Sequence, residues 1–326
     1  MHIRRIRMAR GRETNTRFGA LSIMALMAIA AWAEATIAPA SAAKKPVHVT
    51  ASFLDRNDLF IEDLQMSEVE ILEDDKPRKI ELMAKEDLPT VYGLLFDRSM
   101  LLPETSERNR MSAQVVPSSV GARDIAYALI DKHLNRQMVW VGAYDQLLQF
   151  ALDTSSDGFA AKHAISQLNG ASPDVYPFLY SALFTAVDKM EQRREKRRVV
   201  ILFLETLDPQ TASRIKPLKD LLSSSNVELF VVCFASQRTS PGAVHSAVTT
   251  SPLKELAQAT SGYTFFTMDY RGNYDDLVRR LLHHLRTLYT FGFTSESVPK
   301  GKGKLIIKCS RPGSRVRCHP EVPVFE

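Results

Sequence analysis

The chain has 326 residues, of which 45% are hydrophobic and 24% are charged. This composition predicts a folded protein with a buried core and excludes wholesale disorder. The formal net charge is +5, but residues 1–42 hold six arginines and two glutamates, a net charge of +4. Residues 43–326 therefore carry a net charge close to +1. The main support for a nucleic-acid-binding protein is thereby removed.

The first 42 residues have the features of a secretory signal peptide. Arginines precede the apolar stretch FGALSIMALMAIAAWA, which is short for a membrane span. Ala40, Ser41 and Ala42 then form a small-x-small cleavage site. We therefore predict a signal peptide over 1–42 and an exported protein, periplasmic or extracellular. The alternative is an uncleaved signal anchor. If the protein is attached to a membrane at all, we expect this anchor to be the attachment.

Residues 43–88 are predicted to form an N-terminal β segment, because PVHVTASFLD alternates apolar and polar residues and a turn, DDKP, separates two further strand-like runs. From 89 to 290, apolar runs such as TVYGLLFD, RVVILFLE and VELFVVCFA alternate with amphipathic helices. This alternation predicts an α/β fold with a doubly wound, mainly parallel sheet. Residues 291–326 return to β structure, and we expect them to pair with the N-terminal β segment.

Individual residues predict where several of the helices begin and end. Ser118 or Ser119 is expected to cap the helix SSVGARDIAYALIDKHL, and Pro252 to begin the helix SPLKELAQAT. A long helix is expected over 176–197, with cations in its last turn and EQRREKRR as its solvated end.

Two pairs of residues invite a chemical interpretation. Cys309 and Cys318 flank SRPGSRVR, and in an exported protein they form either a disulfide across a turn or two free thiols on neighbouring strands. His283 and His284 lie beside a leucine stripe on the last helix without a companion metal ligand nearby in sequence. We expect these histidines to be solvated or at an edge.

Acidic residues follow several of the predicted strands. Asp97 ends the first parallel strand, in LLFDRSMLLP, and Asp145 and Glu205 end two later strands. The carboxyl ends of parallel strands share one edge of a sheet, where ligands bind in such folds. We therefore expect these side chains on a common rim. The long connection 102–119 lies on the same rim, and long loops are often functional.

The order of these elements resembles the von Willebrand factor A fold, which is Rossmann-like. Phrases of the sequence are similar, in order, to those of a bacterial, acidobacterial-type family of exported "VWFA-related" proteins. They are VEILEDDKPRKIEL (69–82), GLLFDRS (93–99), LYSA (179–182), RRVVILFLETLD (197–208), LAQATSG (256–262) and LRTLYTFGF (285–293). The resemblance implies a non-enzymatic protein-interaction domain, of adhesion or scaffold type, that binds a protein partner at the strand-end rim.

The family's metal-ion-dependent adhesion site holds magnesium through Asp-x-Ser-x-Ser, a threonine and an aspartate, all of them the oxygen ligands that this ion prefers. Asp97 and Ser99 match the first two ligands. Leu101 stands at the second serine and Pro177 at the threonine, and neither side chain offers an oxygen. Glu205 stands at the aspartate, one methylene longer.

The resemblance therefore implies a degenerate metal site. Thr206 replaces the glycine after Glu205, although Asp208 keeps the second aspartate of that phrase. We expect no functional metal and no cofactor, with Asp97, Ser99 and Glu205 as vestigial ligands. Magnesium-dependent adhesion through an atypical set, completed by Ser172 or Asp174, is the alternative. The predicted partner-binding rim comprises Asp97, Arg98, Ser99, Ser172, Asp174, Glu205, Thr206 and Asp208.

Simpler roles for the same residues stay open. Asp97 could accept backbone N–H groups at the strand end, Ser99 could cap a turn, and Glu205 could be solvated. An inert envelope scaffold is a further possibility. A hydrolase or other α/β enzyme is disfavoured, because the sequence shows no nucleophile-base motif and no glycine-rich phosphate loop.

Overall fold

Strands and helices alternate through the middle of the chain. The computed structural model describes residues 45–57, 59–85, 89–101, 117–170, 177–205, 207–234, 245–270, 273–295 and 304–318. The strands are β1 (Lys45–Leu54), β2 (Val69–Glu73), β3 (Lys76–Arg78), β4 (Ile80–Lys85), β5 (Thr90–Asp97), β6 (Met138–Tyr144), β7 (Leu148–Ser155), β8 (Arg197–Leu204), β9 (Glu228–Cys233), β10 (Thr264–Phe266), β11 (Tyr289–Ser295), β12 (Leu305–Cys309) and β13 (Arg315–Cys318). The helices are α1 (Ser118–Leu129), continued by a π-helical turn (Ile130–Leu134), α2 (Gly158–Ser166), α3 (Leu179–Glu191), α4 (Pro209–Ala212), α5 (Ile215–Ser224), α6 (His245–Gln258) and α7 (Tyr274–Arg286).

The central sheet, among the described residues, has six strands in the order β10-β9-β8-β5-β6-β7. The strands from β10 to β6 are parallel, and β7 runs antiparallel to β6 at one edge. All eight residues of β5 are buried, as expected of a strand covered on both faces. The predicted α/β fold with a doubly wound, mainly parallel sheet is confirmed.

Helices cover both faces of this sheet because successive strand side chains point to opposite sides. Tyr92, Leu94 and Phe96 of β5 join a core that includes residues of α1, α2 and α7. Val91 and Leu95 join a second core with residues of α3, α5 and α6. Strand β5 ends at Asp97, which therefore lies at the carboxyl edge of the sheet.

The terminal segments form a smaller antiparallel β module. Strands β13, β1, β11 and β4 make one sheet in that order, and β12, β2 and β3 make another. Their shared core contains Phe53, Ile71 and Phe291. The predicted pairing of the C-terminal tail with the N-terminal segment is confirmed. Strand β11 begins at Tyr289, two residues before the predicted boundary.

Two helix starts differ from the predictions. Pro252 lies inside α6, which begins at His245, so its interpretation as the first helical residue is wrong. A proline inside a helix removes one hydrogen bond, and the helix here continues through it. The N-cap of α1 is Pro117, without a side-chain cap, so neither Ser118 nor Ser119 has the predicted capping role.

The basic run at 191–198 is a solvated helix end only as far as Lys196, and the prediction is wrong for Arg197 and Arg198, which are buried. Helix α3 stops at Glu191, and Arg197 is only 4% exposed at the start of β8. Its Nε and Nη2 atoms each donate to Glu228 at 3.0 Å, and its Nη1 donates to the carbonyl oxygen of Leu285 at 2.8 Å. A carboxylate on the neighbouring strand β9 therefore makes burial of this arginine possible.

The two histidines of α7 have different surroundings. His283 is partly exposed, with Nδ1 3.4 Å from Oε1 of Glu62, as an edge position would give. His284 lies among the rings of Phe60, Tyr263 and Phe265, and burial lowers its pKa to about 3. His284 is half-buried among these rings, which differs from a solvated position, and it packs as a neutral ring.

No helix in the described ranges has the length and apolar character that a bilayer span needs. The predicted signal peptide or anchor over 1–42 lies outside the described residues.

Candidate functional site

Three of the acidic residues predicted for the strand-end rim, Asp97, Asp145 and Glu205, lie at one edge of the central sheet. Asp97, the last residue of β5, lies level with Tyr144 at the end of β6. On its other side β5 pairs with β8, which is followed directly by Glu205. Because these strands are parallel, their acidic ends meet at one edge of the sheet, as predicted.

Asp97 is fully buried, and one of its carboxylate oxygens has no partner at good hydrogen-bonding geometry among the described residues. Its Oδ1 accepts the backbone N–H of Ser99 at 2.8 Å. Its Oδ2 is buried without a hydrogen-bond partner within the described part of the chain. Burial raises the pKa of Asp97 to about 6, hydrogen bonding to Ser99 and Tyr144 opposes the rise, and the charge of Glu205 adds to it. The Tyr144 hydroxyl is thus close enough to lower the pKa of Asp97. Among the described residues, however, no donor reaches Oδ2 at good hydrogen-bonding geometry.

Tyr144 is a site residue that the sequence reasoning missed. It is 1% exposed, and burial together with the nearby charges of Asp97 and Asp208 raises its pKa well above the ordinary value. The tyrosine therefore stays neutral beside the buried carboxylate. Its position as the residue before Asp145, at the end of an apolar strand, was the available signal.

Glu205 is tied to the start of α1. The hydroxyl of Ser118 donates a short hydrogen bond to Oε1 of Glu205. Glu205 is half-buried, so the simple interpretation as a solvated acid does not describe it. The carboxylate that stands at the family's aspartate ligand thus already has a partner from its own chain.

Asp208 has a structural role. It is 8% exposed, its Oδ2 accepts the backbone N–H of Leu179 at 3.1 Å, and its Oδ1 accepts that of Thr211 at 2.7 Å. Phe178, the N-cap of α3, offers no side-chain hydrogen bond, so Asp208 supplies this cap from a distant part of the chain. Both carboxylate oxygens accept hydrogen bonds from the chain itself, and the place of Asp208 on a partner-binding rim stays a prediction.

The described residues do not fit a magnesium site. Leu101, at the position of the second serine, is 5% exposed and packs in the hydrophobic core beside α1. Pro177 is half-buried and offers no side-chain oxygen. Asp97 and Ser99 remain, together with a glutamate that is bonded to Ser118, whereas magnesium requires octahedral oxygen ligands. Within the described ranges, no group of three or more His, Cys, Asp or Glu residues is placed to hold a metal ion.

Arg98 is held on the rim by three acceptors. Its Nε donates to the carbonyl oxygen of Asn169 at 3.0 Å, and its Nη1 donates to Asp145 at 3.2 Å and to Gln149 at 3.1 Å. Its side chain keeps 21% of its surface exposed. The guanidinium is therefore fixed in position while part of it still faces solvent.

Several predicted residues lie outside what the structure describes. Ser172, Asp174 and Thr206 are among them, as is most of the long connection 102–119. Cys309 on β12 and Cys318 on β13 are both half-buried free thiols in the structure.

No protein-family model and no curated protein matches the sequence. Solved structures do resemble it. A von Willebrand factor type A protein from Catenulispora acidiphila has a TM-score of 0.44 at 11% identity, over 86% of this chain and 73% of that one. The conserved hypothetical protein BatB from Bacteroides thetaiotaomicron has a TM-score of 0.43 at 12% identity, over 60% of this chain and 97% of that one. The PilB minor pilin from Streptococcus sanguinis has a TM-score of 0.44 at 9% identity, over 62% of this chain and 63% of that one.

The predicted resemblance is confirmed to this extent: von Willebrand A domains are among the solved structures that this chain resembles. The match spans less than two thirds of the minor pilin. Likeness at this level concerns the course of the chain and carries no argument about a ligand or a partner.

Proposed function

We propose that this chain is an exported, non-enzymatic interaction protein that binds a protein partner at the strand-end rim without a divalent cation. The observation that carries the proposal is the composition of the rim. Leu101 packs into the core at a ligand position, Glu205 is bonded to Ser118, and Arg98 is a fixed, partly exposed cation. Such a rim offers shape, hydrogen bonds and a guanidinium instead of a bound metal.

Arg98 is the side chain through which we propose to test partner binding. An arginine held by Asp145, Gln149 and the carbonyl of Asn169 has little conformational entropy left to lose, so it is well prepared to meet a partner's carboxylate. A lysine at this position would lose the planar geometry of the contact.

The test is capture of partners from an envelope extract by the tagged full-length chain. Arg98→Gln removes the charge and keeps a polar side chain, and Arg98→Glu reverses it. Lys219→Glu, an exposed residue on α5, is the matched control. We expect one specific partner that both Arg98 variants lose, that the control keeps, and that EDTA does not release. Capture that is insensitive to Arg98, with all variants equally folded by circular dichroism, would exclude this rim as the contact surface.

A second candidate, cation-dependent adhesion, is favoured by Oδ2 of Asp97, which is buried without a hydrogen-bond partner among the described residues. A buried carboxylate oxygen is a typical metal ligand. Isothermal titration with magnesium and manganese distinguishes the two candidates. We expect no binding isotherm. An isotherm that is present in the wild-type chain and absent in Asp97→Ala would establish the second candidate.

A further inference from the structure

A groove at the opposite end of the sheet has an excess of positive charge. It has a volume of about 620 Å3 and lies between α7, the π-helical turn and the β module. Its cations are Lys85, Lys132, Arg279 and Arg286, and its carboxylates are Glu62 and Asp275. Among the lining residues, four cations face two carboxylates, before any protonation of His283. One of these cations, Arg279, also forms an exposed ion pair with Asp276 on the preceding turn of α7. We call this surface the basic groove.

The basic groove is distinct from the strand-end rim. Arg197, the first residue of the parallel strand β8, donates to the carbonyl oxygen of Leu285 near the end of α7. The last turn of α7 therefore lies at the amino ends of the strands, whereas Asp97 and Glu205 lie at the carboxyl ends. A ligand in the groove does not reach the rim.

The internal ion pairs of the groove are weak. Nζ of Lys132 is 3.7 Å from Asp275, whose side chain is 91% exposed, and Nζ of Lys85 is 3.3 Å from Glu62. Such solvent-exposed pairs are screened by water and salt and contribute little to stability. Glu62 is shared, because it also lies 3.4 Å from His283. A ligand carboxylate can therefore replace these partners at low energetic cost.

Arg286 is the least compensated cation. Its Nη2 donates to the carbonyl oxygen of Lys132 at 3.0 Å, and within the described part of the chain it has no carboxylate partner. Its charge reaches the interior, where it contributes to lowering the pKa of His133, after the larger effect of burial. The guanidinium is thus held at the groove by a neutral acceptor and keeps its full charge for a ligand.

The spacing of the cations fits an extended chain. Asp275, Arg279, His283 and Arg286 lie on one face of α7, since they follow a helical repeat of three or four residues. Arg279 and Arg286 are about 10 Å apart along the helix axis, a distance that three residues of an extended peptide span. An open groove with cations in a row is better matched to a linear acidic segment than to a single small anion.

We propose that the basic groove binds an extended, acidic peptide segment of a protein partner. The carboxylates of that segment pair with Arg279 and Arg286, and its backbone lies between α7 and the end of β4. Electrostatic attraction of this kind weakens as salt screens it.

The test uses fluorescence anisotropy of a labelled hexaglutamate peptide, with hexaglutamine as the uncharged control peptide. The variant Arg279→Glu with Arg286→Glu reverses the row of cations, and Arg286→Gln is a milder second variant. Lys216→Glu with Lys219→Glu, both exposed on α5, makes the same change of total charge away from the groove. We expect salt-sensitive binding of hexaglutamate alone, weakened about tenfold or more by the groove reversal and unchanged in the α5 control.

Other outcomes overturn the proposal. One is equal binding by the groove and α5 variants, which would indicate a response to net charge only. Another is groove-dependent binding of phosphatidylglycerol vesicles or inorganic phosphate without binding of the peptide. Lys85 is followed in sequence by Glu86 and Asp87. If the peptide binds only after Glu86→Gln and Asp87→Asn, the chain neutralises its own groove and the proposal fails.

Discussion

The two ends of the central sheet differ in how fully their buried charged side chains are hydrogen-bonded. At the amino ends, Arg197 meets Glu228 through two hydrogen bonds and Leu285 through a third. At the carboxyl ends, Asp97 is equally buried but keeps one oxygen without a partner in the described part of the chain. A buried charge with a partner is tolerated in the fold, whereas a buried charge without one destabilises it. Buried groups with strongly shifted pKa values are candidates for functional sites.

Breaking the pair at the amino ends should have the largest effect. Arg197→Met leaves Glu228, which is 3% exposed, as an uncompensated buried carboxylate. We expect the free energy of unfolding to fall by about 3–5 kcal/mol, measured by urea denaturation. Arg197→Met combined with Glu228→Leu is the control, because replacing both charges by apolar groups should recover much of the loss. If the single and double variants are equally destabilised, the ion pair is not the reason for the effect.

Restoring the family's serine at the carboxyl ends should also destabilise the protein. Leu101→Ser removes a buried side chain from the core and should lower the free energy of unfolding by about 3 kcal/mol, whereas Leu101→Met should change it by less than about 1.5 kcal/mol. We expect no magnesium isotherm for Leu101→Ser, because Pro177 and the Ser118–Glu205 contact remain. Strong magnesium binding by this variant would mean that one residue alone disables the site.

Neutralising Asp97 should have the smallest effect on the free energy of unfolding. Unlike the two changes above, it should stabilise the protein at neutral pH. The pKa of Asp97 is raised from 3.8 to about 6, so its protonated form is favoured in the folded state. Its contribution to stability is complete below pH 3.8 and is lost as the pH rises through about 6. The asparagine side chain of the variant Asp97→Asn does not titrate. The free energy of unfolding of the variant, relative to that of the wild type, should therefore be higher at pH 7 than at pH 4 by roughly 2–3 kcal/mol.

Thermal and urea unfolding at both pH values check this difference, with Asp220→Asn, exposed on α5, as the control. Equal pH profiles for Asp97→Asn and the wild type would contradict the prediction. A variant that is less stable than the wild type at pH 7 would indicate that the charged carboxylate has a partner in solution.

The sequence by itself determined the sheet and the composition of its rim. Continuous apolar runs such as RVVILFLE predict strands that are buried on both faces, and their alternation with helices makes the neighbouring strands parallel. Parallel strands bring their carboxyl ends together, so Asp97 and Glu205 meet without any further information. The absence of side-chain oxygens at Leu101 and Pro177 was equally readable, and the prediction of a degenerate metal site rests on it.

Only the tertiary structure decided what each polar group does. Arg197 was interpreted as solvated because its partner, Glu228, is 31 residues away in sequence. Asp208 caps a helix start, at Leu179, that is 29 residues away, so the residues around it gave no sign of this role. The basic groove draws its cations from β4, the π-helical turn and α7. Hydrogen bonds and ion pairs depend on distances of a few ångströms, and local sequence patterns do not contain those distances when the partners are far apart along the chain.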